Sequence, residues 1–211
     1  MSVFDSIENV ARYEAWFASH RAVFESEAAA LRTLLPHGTG FEVGIGTGIF
    51  ARKLGIRMGN DPSEAMLELA RKRGLLVYRC TGDRLPFHDG YFDFTLMVTT
   101  ICFLDNPGAV LNECRRVVGP NGSIIVGFVD GESPVGRAYQ NQAQRSVFYR
   151  DATFYSTGQV RQMLHDAGFS IDGVQQTLFA PLSSITSAET PREGWGEGSF
   201  VVVRGRSRQP V

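Results

Sequence analysis

The residues with the clearest chemical potential in this 211-residue chain are Phe41-Glu42-Val43-Gly44-Ile45-Gly46-Thr47-Gly48, an apolar run that meets glycine at alternate positions. Glycine has no Cβ and tolerates positive φ, so such a turn between a strand and a helix lays bare backbone against a ligand. The dinucleotide fingerprint G-x-G-x-x-G/A, laid on Gly44 and Gly46, needs a small residue at position 49. Ile49 stands there, and the third glycine is Gly48. Glu42 is a carboxyl in an otherwise apolar strand, where a buried charge needs hydrogen bonds to hold it. Asp61 lies 17 positions beyond Gly44, at the end of the next strand, where a carboxylate can accept both hydroxyls of a ribose. The competing reading of Asp61 is helix capping, with Pro62 in the turn, although Ser63 can cap that helix alone.

Two aromatic clusters follow. Tyr13-Glu14-Ala15-Trp16-Phe17 precedes the glycine turn, and Phe148-Tyr149 with Phe154-Tyr155 comes late in the chain, accompanied by Arg137, Tyr139 and Arg145. Aromatic faces attract cations, and at helical spacing they also form ordinary core. His20 is the one histidine in a context suited to a general base, since His37, His88 and His165 sit in turn-like or exposed helical surroundings. The stretch Thr99-Thr100-Ile101-Cys102-Phe103 contains no histidine.

The elements that must position these residues alternate. Ile7, Val10, Tyr13, Phe17, His20 and Phe24 recur at three- and four-residue spacing, so residues 5–35 read as one or two amphipathic helices ending at Pro36. After the glycine turn come strands over 56–60 and 75–80 with a helix over 63–73 between them, then a strand over 92–98, a helix over 107–118 and a strand over 123–129. A helix over 157–167 and strands over 171–179 and 200–204 complete seven strands. Strand and helix in alternation call for a parallel sheet with its ligand beyond the strands' carboxyl ends. The stretches 131–155 and 180–199 read as long irregular connections, candidates for ligand-covering loops.

Length and composition bound the reading. At 43% hydrophobic the chain suffices for one full core. Twenty-one Lys and Arg against 22 Asp and Glu leave a net charge of −1, without a basic block beyond Arg204, Arg206 and Arg208, so nucleic acid is not an expected partner. Cys80, Cys102 and Cys114 form no C-x-x-C spacing, which argues against a disulfide framework or a metal site and for a reducing cytoplasm. No apolar run approaches a membrane span or signal peptide.

The E-x-G-x-G-x-G run resembles the first motif of the class I S-adenosylmethionine-dependent methyltransferases. Cys80-Thr81-Gly82-Asp83-Arg84-Leu85-Pro86-Phe87 is similar to that family's adenine-gripping segment, commonly Asp-Ala-Glu, a spacer and Leu-Pro-Phe. Thr81 stands where the family often has Asp, and a gapped alignment puts Asp83 on the adenine instead; both stay open. Phe92-Asp93-Phe94, Asp105-Asn106-Pro107 and Arg116-Val117-Val118-Gly119-Pro120-Asn121-Gly122 match the FD strand, the D-x-P helix start and the R-V-L-x-P-G-G turn. The Tyr13 segment resembles the Y-D-x-W-F stretch of small-molecule methyltransferases. The resemblance is strong over residues 40–130 and implies an α/β three-layer sandwich with a seven-stranded, mostly parallel Rossmann-like sheet, its last strand antiparallel. It implies one methyltransferase domain over 1–211, divided into a helical lid at 1–36, a cofactor-binding core at 37–130, a substrate-covering insert at 131–155 and a C-terminal helix and strands at 156–205.

It further implies S-adenosylmethionine as cofactor, with Tyr13, Glu42, Gly44, Gly46, Gly48, Asp61, Pro62, Thr81, Gly82, Asp83, Val98 and Thr99 around it. A small-molecule acceptor would meet Trp16, His20, Tyr149 and Tyr155. No catalytic residue, acceptor or oligomeric state is identified by these motifs. Two other readings stand beside methyl transfer: a cofactor-binding scaffold without catalysis, and a nicotinamide-dependent oxidoreductase, which Ile49 opposes.

Overall fold

The computed structural model describes residues 3–208. A 3-10 turn, Val3–Asp5, leads into α1 (Ile7–Ser19) and α2 (Arg21–Leu34). The predicted N-terminal helical stretch is thus two helices, broken at His20, whose φ of −117° and ψ of 43° leave the helical region. Then follow β1 (Gly40–Val43), α3 (Ile49–Leu54), β2 (Met58–Asn60), α4 (Glu64–Lys72), β3 (Leu76–Tyr78), β4 (Phe94–Val98), α5 (Pro107–Val118) and β5 (Ser123–Val129). The chain ends with α6 (Pro134–Gln142), α7 (Thr157–Asp166), β6 (Phe169–Thr177), β7 (Arg192–Glu193) and β8 (Phe200–Ser207).

The described strands form one sheet in the order β3-β2-β1-β4-β5-β8-β6-β7. β1 to β5 are parallel, and β8 inserts antiparallel between β5 and β6. The sheet has eight strands, not the seven expected: β7 is two residues, Arg192 and Glu193, laid antiparallel on the outer edge of β6. A run that short, with charges at both positions, carries no period-two signal to read. Alternation along the central strands sorts two cores. Leu96, Val98, Ile125 and Val202 pack with Phe24, Leu31, Phe50 and Leu67 of the helices on one face. Met97, Ile124, Val126, Val201 and Val203 pack with Leu111, Val117, Val160 and Leu164 on the other. The result is the expected three-layer α/β sandwich. No helix among the described residues is long and apolar enough to cross a membrane.

The chain winds outward through β2 and β3, then returns to start β4 on the other side of β1. The order reverses between β1 and β4, so their carboxyl ends, Val43-Gly44 and Val98-Thr99, flank the crevice where α/β sheets take ligands.

Candidate active site

The glycine turn is built as its sequence requires. Gly44, Gly46 and Gly48 have φ of +72°, +53° and +76°. The two later glycines serve different ends. A Cβ on Gly48 would stand 2.2 Å from Leu75 Cδ1, so that position is bare to let Leu75, just after α4, pack on the start of α3, whereas a Cβ on Gly46 would meet only Met66 Sδ, at 3.9 Å, and would otherwise fill open space over the turn. Gly46 is therefore the position that keeps a cradle clear. Asp61 ties the turn to the next helix: its Oδ2 accepts from the Gly46 N–H at 3.1 Å and its Oδ1 from the Ser63 N–H at 2.8 Å. Ser63 itself caps α4, accepting from the Met66 N–H, while Pro62 is exposed beside it. Burial raises the Asp61 pKa from 3.8 to about 6 in spite of those two amide donors.

Glu42 is 2% exposed and its Oε2 has no hydrogen-bond partner among the described residues. Burial pushes its carboxyl well above the ordinary range, opposed by the Ala51 amide and reinforced by the charge of Asp61. A buried acceptor without a donor, beside a cradle that a Cβ would fill, fits a ligand with a cationic or N–H-bearing end. At the neighbouring strand ends, Thr81 and Asp83 are exposed, and Gly82 is buried on Val43 and Val110, where a Cβ would meet Val43 Cγ1 at 2.7 Å. Val98 closes β4, and Thr99 follows with φ of +50°, its N–H held by the Gly127 carbonyl at 2.8 Å. A β-branched residue in that region stores about 1–3 kcal/mol of strain, a cost met at ligand-facing positions. Thr100 Oγ1 bridges the two strand ends by donating to the Gly44 carbonyl at 3.2 Å.

Next to this turn lies a cavity of about 460 Å³. Tyr13, Trp16, Thr99, Tyr149 and Tyr155 line it, so both aromatic clusters of the sequence converge there. Phe4 joins them, stacked on Phe148 at 5.8 Å and edge-on to Phe103 and Tyr13. Tyr13 faces both regions: burial, then the charges of Glu42, Glu14, Glu27 and Asp61, in that order, push its phenol far above the ordinary range. α1 is pinned to the glycine turn by Arg73, which pairs with Glu14 and donates to the Thr47 carbonyl at 2.6 Å.

His20 is not brought into this group. It sits at the break between α1 and α2, stacked on Trp16 with ring centroids 4.6 Å apart, its Nδ1 3.0 Å from the Trp16 carbonyl, and it does not line the cavity. The 180–199 connection is likewise away from it: Glu189 binds the Phe179 N–H and its own N–H donates to Ser26 on α2, so that segment is tied down beside the sheet. The 131–155 connection does cover the cavity but is not irregular, because Ser133 caps α6 and Pro134 opens it. Sequence reading passed over Arg73, Phe4 and Glu27, and took Glu14 only as part of the Tyr13 motif. For Glu27 a signal existed, since it falls with Val23, Leu31 and Leu34 on the apolar stripe of α2, where a carboxyl is as anomalous as Glu42 is in its strand.

Fold, switch-point crevice and glycine cradle define a nucleotide-type cofactor protein of the class whose sheet ends in an inserted antiparallel strand. A methyltransferase domain model matches residues 41–126. A crystal structure of a Thermotoga maritima SAM-dependent methyltransferase, described as a possible histamine N-methyltransferase, superposes with a TM-score of 0.94 at 47% identity, covering 96% of this chain and 98% of that one. An uncharacterised Methanocaldococcus jannaschii protein is 39% identical over 203 residues, 96% of this chain and 98% of its own. An uncharacterised Mycobacterium tuberculosis protein is 38% identical over 178 residues, 82% of this chain and 62% of its own. The chain belongs to the class I S-adenosylmethionine-dependent methyltransferases. Membership and neighbours together imply S-adenosylmethionine as the cofactor.

Proposed function

We propose that this chain methylates a small molecule at a nitrogen, oxygen, sulfur or carbon atom, the acceptor lying in the aromatic cavity and the cofactor over the glycine turn. S-adenosylmethionine, when bound, supplies a methyl group already activated by its positive sulfur. The chain's task is alignment, which can contribute ~7–11 kcal/mol to rate. Glu42 and the backbone of residues 44–48 hold the methionine end, Asp61 and Pro62 the ribose, and Thr81, Gly82 and Asp83 the adenine, with Val98 and Thr99 closing the strand-end side. Residues 1–36 and 131–155 act as lid and acceptor cover on a core of 37–130, with 156–205 completing the sheet.

One observation carries this reading. Tyr13 lines the acceptor cavity and also lies within the fields of Glu42 and Asp61, so the two compartments meet at one side chain. When ionised, the carboxyl groups around it make a negative field, so a sulfonium cation and their ionisation favour each other. The Thermotoga relative's description agrees with an acceptor of small-molecule size. A screen of amines, phenols, thiols and carboxylates for S-adenosylhomocysteine release tests it. Turnover in at least one class is expected, with Trp16→Ala raising KM. Cofactor binding without turnover in any class would leave a binding protein instead.

A further inference from the structure

Glu27 on α2 opens onto the acceptor cavity yet is only 5% exposed. Among the described residues no hydrogen bond or ion pair reaches its carboxyl, and burial alone raises its pKa from 4.5 to about 8. The groups facing it are neutral phenols: Tyr13 of α1, Tyr139 of α6 and Tyr149 beyond α6, each shifted upward in part by the Glu27 charge. Cys102, on the turn after β4, lines the same wall with a thiol that burial pushes up to about 12. Among the described residues that line the cavity, the only cation is Arg12, exposed and held 5.7 Å over the Phe148 ring.

We propose that the methyl acceptor is an organic amine that enters as its ammonium ion, and that Glu27 binds its nitrogen: a partnerless buried carboxyl inside walls of aromatic faces is the juxtaposition an ammonium ion completes. This rests on the methyl-transfer reading and adds the acceptor class to it. The carboxylate accepts the N–H bonds, the ring faces of Tyr13, Trp16 and Tyr149 attract the charge, and the apolar walls take the organic remainder. A carboxylate acceptor would be repelled by Glu27 once it ionises, and a phenol would leave Glu27 protonated with no ion pair to form. Glu27 also solves the ammonium's lack of a lone pair. An N–H bond breaks, its electron pair stays on nitrogen, and the proton goes to a Glu27 carboxylate oxygen, leaving the neutral nucleophile in place.

The test is calorimetry on the full chain with S-adenosylhomocysteine bound, using 2-phenylethylamine and its uncharged counterpart 2-phenylethanol, in buffers of different ionisation enthalpy. With its carboxyl titrating near 8, Glu27 is mostly protonated at pH 7, so pairing with an ammonium ion must expel about one proton into the buffer. Expected are amine binding at least tenfold tighter than the alcohol, close to one proton released with the amine and none with the alcohol, and loss of both the preference and the proton in Glu27→Gln with S-adenosylhomocysteine affinity retained. Equal binding of amine and alcohol, or an amine preference that survives in Glu27→Gln, overturns the assignment. If Glu27→Gln does not fold, the wild-type affinity ratio and proton count decide it. Failure of S-adenosylhomocysteine itself to bind overturns the methyl-transfer reading rather than the amine.

Discussion

Asp61 holds the glycine turn and the start of α4 together through two amide donors, and under the proposed function it also accepts the ribose hydroxyls. Asp61→Ala is expected to cost about 1–3 kcal/mol of S-adenosylhomocysteine affinity, measured by calorimetry, together with a fall in apo melting temperature from the lost amide bonds. With its carboxyl titrating near 6, cofactor affinity should fall as pH drops through 6, because the protonated group loses acceptor capacity; an affinity flat from pH 5 to 7 would separate Asp61 from the ribose. The glycines divide in the same way. Gly48→Ala should lower stability, since its Cβ collides with Leu75, and Gly46→Ala should lower cofactor affinity by more than it lowers stability, since its Cβ enters open space. Glu42 and Asp61 were legible in the sequence as carboxyls beside a glycine turn. Glu27 was legible only as a charge on an apolar stripe, and its meaning was not, because the cavity that gives that charge meaning exists only once α1, α6 and the turn after β4 converge.

At the scale of elements, α1 and the 134–155 segment meet over one crevice, joined through Phe4. Hydrogen exchange in residues 8–20 and 140–155 should slow when S-adenosylhomocysteine binds while α5 hardly changes, and Phe4→Ala should speed exchange in both segments at once. Equal protection with and without the ligand would make these aromatics ordinary core. α6 was missed although Ser133 and Pro134 are a regular helix start, because a Gly-rich run before Tyr139 suggests loop when no helical stripe is visible. Conversely 180–199 looked like a cover and is fastened to α2 by the Glu189–Ser26 bond, a pairing between residues 163 positions apart that local sequence does not encode. The Glu14–Arg73 pair is of the same kind: each partner reads as a solvated charge until α1 lies on the glycine turn.

Across the whole molecule, the parallel strands and an antiparallel last strand follow from strand–helix alternation and the family's motifs, whereas the placement of β8 between β5 and β6 and the two-residue edge strand do not. The molecule also carries raised carboxyls where its ligands would sit. A carboxyl whose pKa rises on folding contributes stability present below its unfolded pKa and lost as pH rises through the folded one. Apo stability should therefore decline as pH rises to about 6 from Asp61 and to about 8 from Glu27, and Glu27→Gln should match wild type at pH ~4 and melt higher at pH ~8.5. All of this presupposes that the cradle over Gly46 takes S-adenosylmethionine. Titration calorimetry of the wild-type chain with S-adenosylhomocysteine tests that most directly: a micromolar Kd, about −8 kcal/mol, is expected, and the absence of heat or thermal shift at millimolar ligand, with binding of NAD in its place, would contradict it.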